Sequence, residues 1–454
     1  MTAAFLAEMR REGREIYPLA DVFWQARSGG VLSTVPAYYS SSPCLHYNPL
    51  IVEGGWGNVR SGFQLRPPGS LERLTTTLKL NDIDRSITRT LKGACDQRRA
   101  RMLLRLGSPR LATSDWYTFF DGILADWTYE GVDVTLNAGV DDRALQGFVP
   151  KQPVLAGAFR GAPATSLGIF LPFVYGIHDS SSLSGSGMVP TVCISFDATL
   201  GYRYCPTIGQ ARSVPRVYLN KVSKTIVADP PGAGQVSITY PIYGGLQVTS
   251  INFGTAPAAT DVVTCDIEGL TVDGTTTGAV ILNPVEQFKH LLVNFAFGDW
   301  RSGAWLADST APIDAASFAV ASTYAAQLLY EGSKVYGGST TPIVVGQVVQ
   351  DFLQSHPMLR LYWAPTGKLR CIALDHRYLG YLDAPWIKEE QDLSEGSSLV
   401  QPVDGSSVMQ RVNLSYLRGE ADGKYWSSLA VQDLRVVEKT AESLQWPWSS
   451  SRYV

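Results

Sequence analysis

The segment from Leu74 to Asn137 alternates hydrophobic and polar residues with a period of two, the pattern typical of half-buried strands. In its first strand, one face would carry Leu74, Thr76, Leu78 and Leu80, and the other Thr75, Thr77 and Lys79. The pattern stops at Asn81-Asp82, a pair that favours a turn or a helix cap. We therefore expect a strand followed by a short connection.

The alternation then resumes in a strand with one apolar and one cationic face. The apolar face would carry Ala100, Met102, Leu104 and Leu106, and the cationic face Arg99, Arg101 and Arg105. Glu130-Gly131 marks the turn of a long hairpin, whose return strand presents Asp133 and Thr135 on one side. Together these strands predict an antiparallel β-unit whose outer face carries charges and hydroxyl groups.

The pattern changes twice further along the chain. Short strand-like segments between residues 189 and 267, separated by turns, predict a β-sandwich or barrel. From about Leu282 the period becomes 3.6, which predicts three helices, beginning at Asn283-Pro284, after Asp314 and at Thr341-Pro342. The third helix should end at His356-Pro357, and from about residue 396 the period of two returns.

These patterns predict a β-rich α+β protein with four domains. Residues 1–150 would form an N-terminal arm and a first β-domain, and residues 151–281 an inserted β-domain. Residues 282–395 would form a small α+β module, and residues 396–454 a second β-unit with a C-terminal tail. A chain of 454 residues is long enough for several hydrophobic cores.

Composition narrows the classes of protein. Hydrophobic residues make up 45% of the chain and charged residues 17%, which indicates a folded protein. A formal net charge of -3 excludes a globally basic nucleic-acid binder but leaves room for a local basic face. No apolar segment approaches the roughly 20 residues that cross a bilayer, and the start is too acidic for a secretory signal. We therefore expect a soluble protein that is made in the cytoplasm and does not insert into a membrane.

The sequence offers little catalytic or metal-binding chemistry. Its six cysteines include no CxxC and are expected to be buried free thiols. Cys44 and His46 have a chelating spacing, but a zinc site needs about four ligands. His290, beside Lys289, is expected on the solvated side of its helix. No phosphate-binding, zinc-protease or nucleophile-elbow motif is present, so we expect no metal, no cofactor and no catalysis.

Three groups of residues remain as candidates for a function. Carboxylate pairs such as Asp121 with Asp126, Asp141-Asp142 and Glu389-Glu390 would suit glycoside hydrolysis only across a cleft of about 5 to 10 Å. Arg99, Arg101 and Arg105 would face solvent, an adjacent copy through carboxylates such as Asp133 or Glu130, or DNA phosphates in a lumen. The C-terminal aromatics Trp446 and Trp448 are candidates for contact with a partner.

The order of elements resembles the tail-tip, or baseplate hub, proteins of tailed bacteriophages. The resemblance is carried by LTTTLKLNDIDRSITRTLKG from Leu74, FFDGILADWTYEGVDVTLN from Phe119, FLPFVYG from Phe170, VVTCDIEGL from Val262 and LRLYWAPTGKLRCIAL from Leu359. It implies two tail-tube-like β-domains joined by inserted domains, so that three chains close a ring of six such domains. Because the lumens of these tubes are usually acidic, it also implies that the arginine face meets a neighbouring subunit.

The resemblance further implies a structural virion protein at the tail tip. A homotrimeric ring would close the distal end of the tail tube, contact the distal tail or tail tube protein, and connect to the central fibre or receptor-binding apparatus. DNA would pass only transiently through its channel. Two alternatives are a hexameric distal tail protein and, from another class, a β-rich carbohydrate-binding or glycoside-hydrolysing protein, which 11 Trp and 21 Tyr favour.

Overall fold

The computed structural model describes residues 2–11, 13, 15–28, 31–56, 74–93, 100–180, 189–328, 332–356, 358–364, 366–373, 411–418, 425–432 and 441–445. The chain forms two compact units. The first comprises Met1–Ala144, Pro312–Asp314 and Arg360–Cys371. The second comprises Leu145–Ala311, Ala315–Leu359 and Ile372–Val454. The division into four domains stays a prediction.

The first unit is built on one seven-stranded sheet. Its elements are α1 (Ala3–Arg10), β1 (Tyr17–Ser28), β2 (Val31–Ser40), β3 (Ile51–Trp56), β4 (Thr75–Asn81), α2 (Ser86–Lys92), β5 (Arg101–Gly107), β6 (Tyr117–Glu130) and β7 (Asp133–Gly139). The strand order is β2-β1-β5-β6-β7-β4-β3, and every neighbouring pair is antiparallel. The antiparallel β-unit predicted from Leu74 is confirmed, and β1 to β3 extend it on both sides.

One face of this sheet forms the hydrophobic core of the first unit. Alternate residues on successive strands are fully buried there, among them Ala20, Val22, Leu78, Leu80, Met102, Leu104, Phe120, Val134 and Leu136. Burying a side chain such as Leu or Phe stabilises the fold by about 1.5–3 kcal/mol. The two-residue period of the sequence therefore fixes which face of each strand points inward.

Asp82 connects β4 to α2 through a buried carboxylate. Its Oδ1 accepts a hydrogen bond from the Ile87 amide at 2.8 Å, and its Oδ2 accepts one from the Thr88 amide at 2.8 Å. The Thr88 hydroxyl donates to the same Oδ2. Since the first amides of a helix have no partner within the helix, Asp82 supplies acceptors for two of them. Arg85 occupies the N-cap position itself, so the Asp82 side chain caps α2 from three residues upstream, at the turn or cap predicted at Asn81-Asp82.

The second unit contains a ten-stranded sheet. The strands of the second unit begin with two that pair elsewhere, β8 (Phe148–Val149) and β9 (Phe173–Tyr175). The ten strands of the sheet are β10 (Ile177–His178), β11 (Val189–Pro190), β12 (Val192–Asp197), β13 (Gly201–Ile208), β14 (Ala211–Leu219), β15 (Val222–Ile226), β16 (Gln235–Thr239), β17 (Ile242–Tyr243), β18 (Leu246–Phe253) and β19 (Val263–Leu270). The strand order is β10-β19-β14-β15-β16-β18-β13-β12, with β11 on β19 and β17 on β18. Its apolar core includes Val217, Val236, Ile251, Cys265 and Ile267.

Helices follow this sheet, as the 3.6-residue period predicts. They are α3 (Pro284–Leu291), which continues into a π-helix (Leu292–Phe297), and α4 (Ala315–Gln327); then come β20 (Lys334–Tyr336), β21 (Ile343–Val344) and α5 (Val345–Ser355). The Asn283 side chain accepts a hydrogen bond from the Val285 amide at 3.0 Å, so the predicted cap is confirmed. The predicted start of α5 at Thr341-Pro342 is wrong, because Ile343–Val344 pairs with β8 as a strand.

The last described elements are strands. They are β22 (Leu359–Trp363), β23 (Leu369–Ala373), β24 (Arg411–Arg418), β25 (Tyr425–Gln432) and β26 (Ala441–Gln445). In the C-terminal sheet β24 pairs antiparallel with β25 and parallel with β26, whereas the first sheet is antiparallel throughout. The equivalence of the two β-units therefore stays a prediction. Strands outnumber helices among the described residues, so the fold is β-rich α+β, as predicted.

No helix within the described part of the chain has the length and apolar character needed to span a bilayer. The described cysteines, Cys44, Cys193, Cys205, Cys265 and Cys371, are free thiols, and burial raises the pKa of each. Cys95 lies outside the described residues.

We predict that Asp82→Ala lowers the free energy of unfolding by about 2 kcal/mol, because it leaves two helix amides and a buried hydroxyl without an acceptor. Asp84→Ala is the matched control, since the Asp84 carboxylate accepts from the Ser86 amide at an exposed position. Urea denaturation followed by tryptophan fluorescence measures both. Equal losses in the two variants would contradict the role assigned to Asp82.

Candidate assembly surface

The polar face of the seven-stranded sheet, opposite its core, collects most of the candidate residues. We define it by the cross-strand rows Asp21–Leu103–Asp121, Phe23–Arg101–Ile123, Leu19–Arg105–Thr118, Thr128–Thr135–Lys79 and Glu130–Asp133–Asn81. Residues directly opposite each other on neighbouring strands share a face, so these rows lie on one surface. Arg101, Arg105, Asp133 and Thr135 therefore occupy the same side of one sheet, as the alternation predicts.

Arg101 is held by a carboxylate on the neighbouring strand. Its Nε donates to Asp121 Oδ1 at 2.8 Å, and its second guanidinium nitrogen donates to Oδ2 at 2.6 Å. This two-point hydrogen bond raises the pKa of the Arg101 guanidinium. The Arg101 side chain is still 55% exposed, so it remains accessible to a neighbouring molecule.

Arg105 is paired more deeply. One of its guanidinium nitrogens lies 3.2 Å from Asp21 Oδ2, and the Tyr47 hydroxyl donates to Asp21 Oδ1 at 2.6 Å. The Asp21 side chain is only 3% exposed. Burial raises the pKa of the Asp21 carboxyl group, and the Tyr47 hydrogen bond and Arg105 oppose that shift. Asp21 and Tyr47 are therefore the buried part of a polar network within one chain, and the half-buried Arg105 supplies its cation.

Asp133 and Thr135 lie further along the same face. Lys79 Nζ forms an ion pair with Asp133 Oδ2 at 2.8 Å, and this contact raises the pKa of the lysine. Thr135 stands between Thr128 and Lys79 in register. Asn137 Nδ2 also donates to Asp126. This end of the face is thus lined by hydroxyl and amide groups, with its lysine already paired.

The arginines cannot reach Asp133 within their own chain. Arg101 lies in the same row as Ile123 and Gly139, and Asp133 is six residues from Gly139 along β7. At about 3.3 Å per residue the two side chains start roughly 20 Å apart. A contact between Arg101 and Asp133 or Glu130 would need a second copy, and this contact stays a prediction.

The chain itself covers part of the polar face beside these pairs. Leu103, between Arg101 and Arg105 on β5, is buried although it belongs to this face. In the turn between β22 and β23, Gly367 has a φ of +72°, and an added Cβ would lie 2.9 Å from the Asp121 carbonyl oxygen. Because the turn between β22 and β23 packs against the sheet here, less of the polar face around the arginines is accessible than the sequence predicts.

Some predicted residues fall elsewhere. Arg99, Trp446 and Trp448 lie outside the described residues, as do Glu389 and Glu390. Asp121 and Asp126 are five residues apart on β6, on the order of 15 Å, which is too far for the carboxylates of a glycosidase. Nothing in the described contacts brings these predicted residues into one cleft.

The histidines and the cysteine considered as metal ligands or solvated groups pack against aromatic side chains. The His46 ring packs edge-on against Tyr38 at 4.8 Å between centroids, while Cys44 is buried with Tyr47 and Trp116. In the part of the chain that the structure describes, no group of three or more His, Cys, Asp or Glu side chains could hold a metal ion. The solvated position expected for His290 is wrong, because its side chain is buried against Tyr175.

Sequence reasoning missed Asp21 and Tyr47, which hold Arg105. Asp21 lies within the apolar segment that becomes β1, and an acidic residue between the apolar neighbours Ala20 and Val22 was the available signal. The partners Asp21 and Arg105 are 84 positions apart by their numbering. Only the pairing of β1 with β5 brings them together.

No family model and no curated protein matches the chain. A chain from the solved virion of a native gene transfer agent (GTA) particle is similar over 59% of this chain and 84% of that chain, at 14% identity and a TM-score of 0.23. A likeness with so low a TM-score supports no conclusion about fold or function.

We predict that Arg105→Met lowers the free energy of unfolding by about 2–3 kcal/mol, because it leaves the buried Asp21 carboxylate without its cation. Arg101→Met is the matched control on the same strand and should cost less than about 1 kcal/mol, since exposed ion pairs contribute little. Urea denaturation of both variants tests the difference. If Arg101→Met lowered the free energy of unfolding as much as Arg105→Met, the prediction would be contradicted, because the exposed and the buried ion pair would then contribute equally to stability.

Proposed function

We propose that this chain is a structural virion protein of a phage-like tail, and that copies of it form a ring at the tail tip. The ring would be a homotrimeric hub that contacts the tail tube or distal tail protein on one side and the central fibre or receptor-binding apparatus on the other. Its role would be mechanical, holding a channel for DNA rather than catalysing a reaction. The resemblance of several strand segments to hub proteins suggests this role.

The observation that carries the proposal is a large polar sheet face whose described basic groups are paired within the chain. Lys79, Arg101 and Arg105 each contact a carboxylate. Free lysine and arginine side chains bind phosphates strongly and would hold DNA in place. A face of hydroxyl, amide and internally paired groups can pack against a neighbour or line a passage without trapping DNA.

One edge of the sheet supports assembly. β2 is an edge strand of ten residues. On its outer side, the only backbone pairing among the described residues is the isolated bridge between Tyr39 and Asn48. Val35, outside that bridge, is 47% exposed. Pro36 removes one backbone donor from this edge, but the rest of the strand is long and partly apolar, and natural proteins usually cover or protect such edges. A closed ring would cover it with a neighbouring copy.

We predict that the purified chain assembles into particles of about 148 kDa, three copies of the 49.4 kDa chain, that appear as small rings in negative stain. Mass photometry measures the copy number. Six copies would favour the hexameric distal tail protein. A monomer that binds oligosaccharides would overturn the proposal in favour of a carbohydrate-binding protein.

A surface variant tests which edge makes the ring. Val35→Lys should convert the assembly to monomers, because a lysine on an edge strand opposes strand pairing. Val222→Lys is the matched control, since Val222 is also an exposed valine on a strand. If both variants retain the ring, the β2 edge is not the contact between copies.

A further inference from the structure

Two buried histidines of the second unit form hydrogen bonds with the same tyrosine, one with its hydroxyl group and one with its backbone carbonyl. The Tyr175 hydroxyl lies 2.7 Å from His290 Nδ1, and the Tyr175 carbonyl oxygen lies 3.1 Å from His178 Nε2. All three residues are buried. Because a carbonyl oxygen only accepts hydrogen bonds, His178 must carry its proton on Nε2. Tyr175 thus connects β10, which carries His178, to α3, which carries His290.

The surroundings of His290 are aromatic. Its ring lies edge-on to Trp305 at 4.4 Å between centroids and near Phe295 at 5.8 Å. His290 Nε2 is buried without a hydrogen-bond partner among the described residues. Burial lowers the pKa of His290 to about 3 and that of His178 to about 4. Both imidazoles are therefore neutral in the folded protein near pH 7.

Charged groups around the cluster are already paired or are themselves cationic. On α3, Lys289 Nζ contacts Glu286 at 2.8 Å and Asp308 at 3.6 Å. On β20, Lys334 stands directly opposite Tyr175. These neighbours offer a protonated His290 no free carboxylate.

The same holds beside His178. Its cross-strand partner on β19 is Ile267, and the preceding residue, Asp266, accepts hydrogen bonds from the Ser180 and Tyr218 hydroxyls. Asp266 and Asp179 both contact Arg216. Glu268 stands opposite Ile177, on the alternate face of the strand. No described contact joins a carboxylate to either imidazole.

We infer that the Tyr175–His290–His178 cluster is an acid-responsive element that loosens the second unit when the imidazoles become protonated. Protonation would place a positive charge in an apolar core with no counter-charge, and unfolding or local opening relieves that cost. The response would begin where β9, β10 and α3 meet.

The sign of the effect follows from the direction of the pKa values. Both histidines have folded-state pKa values below 6.5, so the unfolded state binds more protons as the pH falls. Their contribution to stability is full above about pH 6.5 and is lost progressively as the pH falls toward 4. In the first unit, His46 is exposed, and the raised pKa of Asp21 acts in the opposite direction.

Hydrogen exchange of the full chain at pH 7.0 and pH 5.0, corrected for the intrinsic exchange rate, tests this inference. Protection in segments 173–178 and 284–297 should fall at least about tenfold at pH 5.0, while segment 101–107 of the first sheet changes much less. An equal loss in both units, or no loss in either, would overturn the inference.

Substitutions assign the effect to the cluster. The double variant Tyr175→Phe/His290→Phe replaces both polar partners by apolar rings. It should reduce the pH effect, on a logarithmic scale, by about a third, because His178 and the buried His356, whose pKa burial also lowers to about 4, remain. Should that variant not fold at pH 7.0, His178→Gln, which retains an N–H donor, should give a similar reduction. His46→Gln is the control and should leave the effect unchanged. Full pH dependence in a folded cluster variant would exclude the cluster as its source.

Discussion

The register of the seven-stranded sheet is the constraint on which the rest of the first unit depends. The two arginines of β5 each meet a carboxylate diagonally across a neighbouring strand, and Leu103 stands between them. A slip by one residue would turn both guanidinium groups into the core, at a cost that no nearby group could offset. The hydrophobic face and the paired charges therefore specify the same register, which makes the sheet unique rather than one of several near-equivalent pairings.

Two irregularities on β6 preserve this arrangement. The pairing of β6 shifts by one residue beside Leu104 and Arg105, and again between Leu124 and Asp126. Each extra residue changes which side chains face the core, as a β-bulge does. Without the second shift Asp126 would point into the apolar side. The bulges allow a strand of 14 residues to keep its polar groups on the polar face over its whole length.

Much of this fold was predictable because the information is local. The alternation in β4 and β5, the Asp82 cap and the Asn283 cap depend on residues within a few positions of one another. The carboxylate that pairs with Arg105 was not predictable in the same way, because β1 and β5 are separated in the sequence by three strands and a helix. His290 was misplaced for a related reason. A helical period indicates one buried stripe, but most of α3 is buried, including Gln287 and His290.

The contributions of ion pairs and of strand pairing indicate which surface would supply most of the binding free energy in the proposed assembly. Exposed ion pairs such as Arg101 with Asp121 contribute at most about 1 kcal/mol, and exchanging them for contacts with another copy gains little. In the proposed ring, the polar face would define the orientation of the copies and exclude wrong partners, but it would not supply strong association. Strand pairing at the β2 edge adds hydrogen bonds and covers the exposed Val35. For this reason the edge, more than the charged rows, would decide whether copies of the chain stay together.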